Sequence, residues 1–97
     1  MKAYELLFFV ATTISDEDRV AVMKRIETTI AEGAGKVDNV DEWGKRKLAY
    51  EINGLTDGDY TLVNFHADPQ NVAELDRVLR INDAVVRHMI VKREDRD

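Results

Sequence analysis

The segment Ala3 to Ala11 narrows the choice of fold more than any other part of the chain. Tyr4, Leu6, Phe8 and Val10 share one face at period two, and Leu7 and Phe9 make the opposite face apolar as well. A strand that is apolar on both sides is central in its sheet, and its second face calls for a cover.

The remaining segments carry their own start and stop signals. Ser15 to Glu32 reads as a helix, with Ser15 as N-cap and Asp16, Glu17 and Asp18 complementing the positive helix end. Val22, Met23, Ile26 and Ile30 recur at helical spacing, and Gly33 and Gly35 offer a stop. Lys36 to Glu42 reads as a strand, Trp43-Gly44 as a bulge or bend in it, and Leu48, Tyr50 and Ile52 as its continuation. Asp57-Gly58 marks a tight connection to a strand from Tyr60 to Ala67, with Thr61, Val63 and Phe65 on one face and Tyr60 and Leu62 on the other. Asp68-Pro69 starts a second helix whose apolar stripe is Val72, Leu75, Val78 and Leu79. Asn82-Asp83 ends it, and Ala84 to Lys92 is the last strand.

The order is β-α-β-β-α-β, the ferredoxin-like α+β arrangement. Two right-handed crossovers put both helices on one face of a four-stranded antiparallel sheet. The other face is then bare, and Leu7, Phe9, Tyr60 and Leu62 are the candidates to line it. Residues 1–93 are expected to form a single domain, with 94–97 a short, charged, mobile tail.

Composition removes several function classes. The chain has no cysteine, which excludes disulfides and thiolate sites. No apolar run approaches the roughly 20 residues that cross a bilayer, and Met1 to Glu5 does not read as a signal peptide. His66 and His88 are the only histidines and lack metal-ligand spacing, so no metal is expected. Ser15, the only serine, is explained by capping, so no hydrolase triad is expected. Gly33-Ala34-Gly35 lies at a helix end, the wrong place for a phosphate loop. Neither a cofactor nor a small-molecule substrate is implied.

The net charge of −5 argues against gripping nucleic acid by bulk charge. The distribution is uneven, however. Five cations face nine carboxylates from Met1 to Gly44, and nine face ten from Lys45 to Asp97. Lys45-Arg46-Lys47 is the densest cationic run and admits two readings: protection of an edge strand, or contact with a nucleic-acid backbone. Trp43 beside it reads first as a packing residue. Arg87 stands out because it interrupts an otherwise apolar strand. RNA-binding domains of this topology stack bases on aromatics, which Phe9 and Tyr60 imitate, but the motif of the RNA recognition domain is absent.

Four segments together carry a family likeness. They are Tyr4-Glu5, Glu42-Trp43-Gly44-Lys45-Arg46-Lys47-Leu48-Ala49-Tyr50-Glu51-Ile52, Tyr60-Thr61-Leu62-Val63-Asn64-Phe65, and Leu79-Arg80-Ile81-Asn82-Asp83-Ala84-Val85-Val86-Arg87-His88-Met89-Ile90-Val91-Lys92. The chain resembles the bacterial small-subunit ribosomal protein six family. The second segment resembles its acidic-Trp-Gly-basic-basic-x-Leu-Ala-Tyr-Pro-Ile signature. Glu51 departs from the usual proline and Gly54 from a frequent lysine. The long acidic tail of some members is not matched, as the chain stops at Asp97.

The resemblance implies a non-catalytic structural protein of the small ribosomal subunit, cytoplasmic and working in translation. It implies binding to the central domain of 16S ribosomal RNA as a heterodimer with small-subunit ribosomal protein eighteen, a basic partner, away from any membrane. On this reading Lys2, Tyr4, Lys45, Arg46, Lys47, Arg87, Lys92 and Arg93 are the candidate RNA contacts, and Leu7, Phe9, Trp43, Tyr60 and Leu62 the candidate partner interface. Two rivals share the topology. A small acylphosphatase-like hydrolase needs a phosphate-cradling loop with a positioned arginine, and Ala11-Thr12-Thr13-Ile14 provides neither. A ligand-sensing regulatory domain pairs with itself through the sheet.

Overall fold

A computed structural model describes residues 1–96. The element order is β1 (Lys2–Val10), α1 (Asp16–Glu32), β2 (Lys36–Ile52), β3 (Leu55–Ala67), α2 (Pro69–Arg80) and β4 (Val85–Lys92), followed by a short 3₁₀ turn over Glu94–Arg96. The four strands form one sheet in the order β2-β3-β1-β4, with every neighbouring pair antiparallel. This is the ferredoxin-like arrangement, and β1 is interior as its two apolar faces require.

Both helices cover the face formed by Leu6, Phe8, Val10, Val63, Phe65 and Val85. From α1 come Val22, Ile26 and Ile30, and from α2 Leu75 and Leu79, all buried. Each such side chain contributes roughly 1.5–3 kcal/mol by leaving water. Among the described residues no helix is long and apolar enough to cross a membrane.

Ser15 caps α1 as its type suggests, its hydroxyl accepting from the Asp18 amide at 3.1 Å. At the other end the residue in the left-handed region is Ala34, at φ 62°, and not either flanking glycine. The Gly35 amide bonds Ile30 at 2.8 Å and the Ala34 amide bonds Ala31 at 2.9 Å, the two bonds of a Schellman stop. The glycines serve closeness instead. A Cβ on Gly33 falls 2.3 Å from Asn71 Cγ, and one on Gly35 falls 2.7 Å from the His66 carbonyl oxygen. Asn71 is 6% exposed and donates to the Ile30 carbonyl at 2.9 Å, so α2 closes the end of α1.

Two turns differ from expectation. Asp57 and Gly58 lie inside β3. The hairpin turns instead at Asn53-Gly54, with φ 50° and 81°, the positive pair that a two-residue connection of the right twist demands. Gly58 is needed because the Phe9 ring occupies its side-chain space, with Cδ1 2.4 Å from an added Cβ. Asp68 stands at the N-cap of α2 but makes no side-chain capping bond, and its carboxylate lies 3.9 Å from the Met1 ammonium.

Two outcomes follow from the helix ends. Ala34→Gly removes a left-handed alanine and raises unfolding free energy by about 1 kcal/mol, whereas Gly33→Ala lowers it by about 1–3 kcal/mol through overpacking against Asn71; denaturant titration reads both. Arg77 hydrogen-bonds Glu74 and holds that carboxyl below its ordinary value of 4.5. Its contribution is present above the ordinary value and is lost as pH falls through the lowered one. Glu74→Gln therefore makes the acid-side fall in stability shallower, measured by urea titration across acid pH.

Candidate nucleic-acid interface

The sheet is bare on the side away from the helices, and three rows of side chains cross it. The first runs Arg87, Phe9, Tyr60 and the Trp43-Gly44 pair; the second Met89, Leu7, Leu62 and Asp41; the third Val91, Glu5, Asn64 and Asn39. The surface thus grades from aromatic through aliphatic to polar. Phe9–Tyr60 and Tyr60–Trp43 ring centroids are 5.0 and 6.3 Å apart, so the aromatics form one continuous stack.

Of the five residues expected at the partner interface, four are open to solvent to some degree: Leu7, Tyr60 and Leu62 are half-buried and Trp43 is 37% exposed. Phe9 is the exception at 4% exposed, because its ring is sunk onto Gly58 beside Tyr60. It supports the surface from beneath. Met89 at 57% and Val91 at 41% belong to the same patch and were not singled out from sequence. Their alternation with His88 and Ile90 along β4 was the available signal.

The bulge that presents the basic run sits where Glu42 pairs with Thr61 and Gly44 with Tyr60, leaving Trp43 as the extra residue. Gly44 has φ 75°. The Trp43 indole donates to Asp41 at 3.2 Å. Beyond it Lys45, Arg46 and Lys47 pair with Asp59, Gly58 and Asp57. Since β1 ends at Val10 opposite Asp59, the run stands at the root of a two-stranded arm that projects past the sheet. Arg46 shares the bare side with Gly58, whereas Lys45 and Lys47 point to the helix side. Asp57 accepts from Thr12 at 3.4 Å and pairs with Lys45 at 3.3 Å. Arg19 of α1 pairs with Asp59 and donates to the Thr12 carbonyl at 3.3 Å, tying the arm's root to the helix layer.

The eight expected RNA contacts separate into two groups. Arg87 lies at the same end of the sheet as Lys45, Arg46 and Lys47. Lys2, Tyr4, Lys92 and Arg93 lie at the other end, about 17 Å away for five residues of strand. Tyr4 stacks on Phe65 at 5.7 Å against the core. Arg93 donates to Glu5 at 2.9 Å and to Asp95 at 3.2 Å, and hydrogen bonding to Asp95 raises its already high pKa. Lys92 is 3.9 Å from Glu94. Among the described residues Lys47 and Arg87 are in no ion pair, so the first group presents more uncompensated charge. The histidines take carboxylate partners, His66 with Asp38 at 2.5 Å and His88 with Asp76 at 2.7 Å.

The backbone at Gly44 supplies a direct check. Nothing lies within 4 Å of a Cβ added there, so Gly44→Ala costs only its left-handed angle, about 1–2 kcal/mol in denaturant unfolding. Fluorescence of Trp43, the only tryptophan, registers the shift of the bulge at the same time.

Comparison with known proteins agrees with this geometry. The family model described as Ribosomal protein S6 matches residues 3–92. The small ribosomal subunit protein bS6 of Clostridium botulinum is 48% identical over 94 residues, covering 97% of this chain and all of that protein. That of Clostridium kluyveri is 49% identical over 94 residues, covering 97% and 99%. The crystal structure of 30S ribosomal protein S6 from Thermotoga maritima superposes with a TM-score of 0.89 at 36% identity, covering 97% of this chain and 89% of that one.

Proposed function

The chain belongs to the ribosomal protein S6 family, and on that premise we propose that it binds the central domain of 16S ribosomal RNA together with small-subunit ribosomal protein eighteen. As a family member it is a protein of the small ribosomal subunit, housed in the bacterial cytoplasm. The family match over residues 3–92 carries the reading, and it supports a structural component of the small subunit.

The surface supports the finer roles. A net charge of −5 favours a basic protein partner, whose cations pair with these carboxylates and supply phosphate affinity that this chain lacks. Leu7, Leu62, Met89, Tyr60 and Trp43 form the exposed apolar patch that such a partner covers, with Phe9 beneath them. Lys45, Arg46, Lys47 and Arg87 form the stronger phosphate-contacting end. Lys2, Lys92 and Arg93 form a second, more compensated one, with Tyr4 as their neighbour. Surface ion pairs are weak enough to exchange for phosphate, so Lys45 and Arg93 remain usable. We take residues 1–93 as the domain that does this.

The test is binding to a central-domain RNA fragment, with and without protein eighteen, over a salt series. Tight, salt-dependent binding only with the partner is the expected result; no binding in either case removes the RNA assignment. Arg87→Ala weakens binding of the partner-bound chain by roughly threefold to tenfold, as loss of one phosphate contact does, and leaves unfolding unchanged. Unaltered affinity takes Arg87 out of the site.

A further inference from the structure

The end of the sheet that holds Lys92 and Arg93 carries its own competitor for phosphate. β4 ends at Lys92, and the 3₁₀ turn over Glu94–Arg96 follows almost at once. The turn brings a carboxylate from two positions further on back to the Arg93 guanidinium. Asp95 accepts from Arg93 Nε through Oδ1 and from Nη2 through Oδ2, each at 3.2 Å. Two parallel bonds from that fork to two oxygens of one anion are also the geometry in which arginine takes a phosphate. Beside it, Lys92 Nζ lies 3.9 Å from Glu94.

The other contacts of Arg93 place it without occupying that fork. Its backbone amide donates to the Ala3 carbonyl at 2.8 Å, and Nη1 donates to Glu5 of β1 at 2.9 Å. Neither contact involves the turn, so the guanidinium stays at the sheet end when Asp95 leaves. The Asp95 side chain is 63% exposed, and a pair this open to water exchanges readily.

We propose that Asp95, with Glu94 beside it, occupies the phosphate seat of Arg93 and Lys92 in the free protein and is displaced when RNA docks. This role rests on the RNA reading and adds a control to the same site. Displacement changes the exchange of ions. A phosphate that meets a bare cation sheds a counterion. One that displaces Asp95 frees a carboxylate, which draws a cation in turn and repels the RNA within the Debye length. The turn therefore weakens binding at low salt and flattens its salt dependence.

Binding of the full chain with protein eighteen to the central-domain RNA fragment tests this over a salt series, with circular dichroism confirming that each variant folds. Glu94→Gln with Asp95→Asn binds roughly threefold to tenfold more tightly at low salt. Its affinity also falls more steeply as salt rises, by up to about one unit of logarithmic slope for each unmasked cation. Glu17→Gln with Glu27→Gln removes the same charge from exposed positions of α1 and leaves affinity within about twofold of the parent. In an Arg93→Ala background, Asp95→Asn gives no gain. A Glu94→Gln, Asp95→Asn chain with the parent's affinity and slope overturns the masking role and leaves the RNA reading standing. So does a gain that the α1 variant equals, or one that persists without Arg93. Absence of RNA binding by every chain overturns both.

Discussion

A sheet covered on one side only is the constraint on which the rest of this molecule depends. Two crossovers, β1 to β2 and β3 to β4, both pass over the same face, so α1 and α2 compete for one surface and leave the other. On the covered side Leu6, Phe8, Val63 and Phe65 meet the helices and are at most 3% exposed. On the other side the same strands leave Leu7 and Leu62 half-buried, and β4 leaves Met89 exposed. The chain partly answers this by itself. Phe9 is drawn down onto a glycine, and Ala3 is 2% exposed where Arg93 returns to hydrogen-bond its carbonyl at 2.8 Å.

The fold was legible because each element carries a periodicity and a boundary that agree. The bulge at Trp43-Gly44 was legible too, since glycine beside an aromatic in a strand has few other uses. What misled were glycines and turn pairs read one at a time. Asp57-Gly58 and Asn53-Gly54 are equal hairpin signals locally. The ring of Phe9, 49 positions from Gly58, accounts for the glycine there, while the left-handed pair stands at Asn53-Gly54. Gly33 and Ala34 pose the same problem: the need for a small residue at 33 comes from Asn71 on the other helix.

The candidate site was legible as residue types and less so as geometry. Spacing along the chain cannot reveal that Lys45 and Lys2 stand at opposite ends of one sheet, because that follows from antiparallel pairing in register. Nor does it show that Tyr4 is committed to Phe65, or Arg93 to Glu5 and Asp95. The family resemblance supplied the identity of the chain; the rows across the bare face supplied the grouping.

The position of β1 has a consequence for how the chain is made. The first strand synthesised needs both β3 and β4 for its two edges, and β4 ends at Lys92. A nascent chain therefore has β1 paired on one edge at most until β4 has emerged, with apolar residues on both faces. Pairing so distant in sequence is slow to close, and an unpaired apolar strand is the species that aggregates. For this protein the hazard opens when β1 emerges with neither edge paired, lessens when β3 arrives, and closes only with β4, which the short α2 keeps within a few tens of residues of β3.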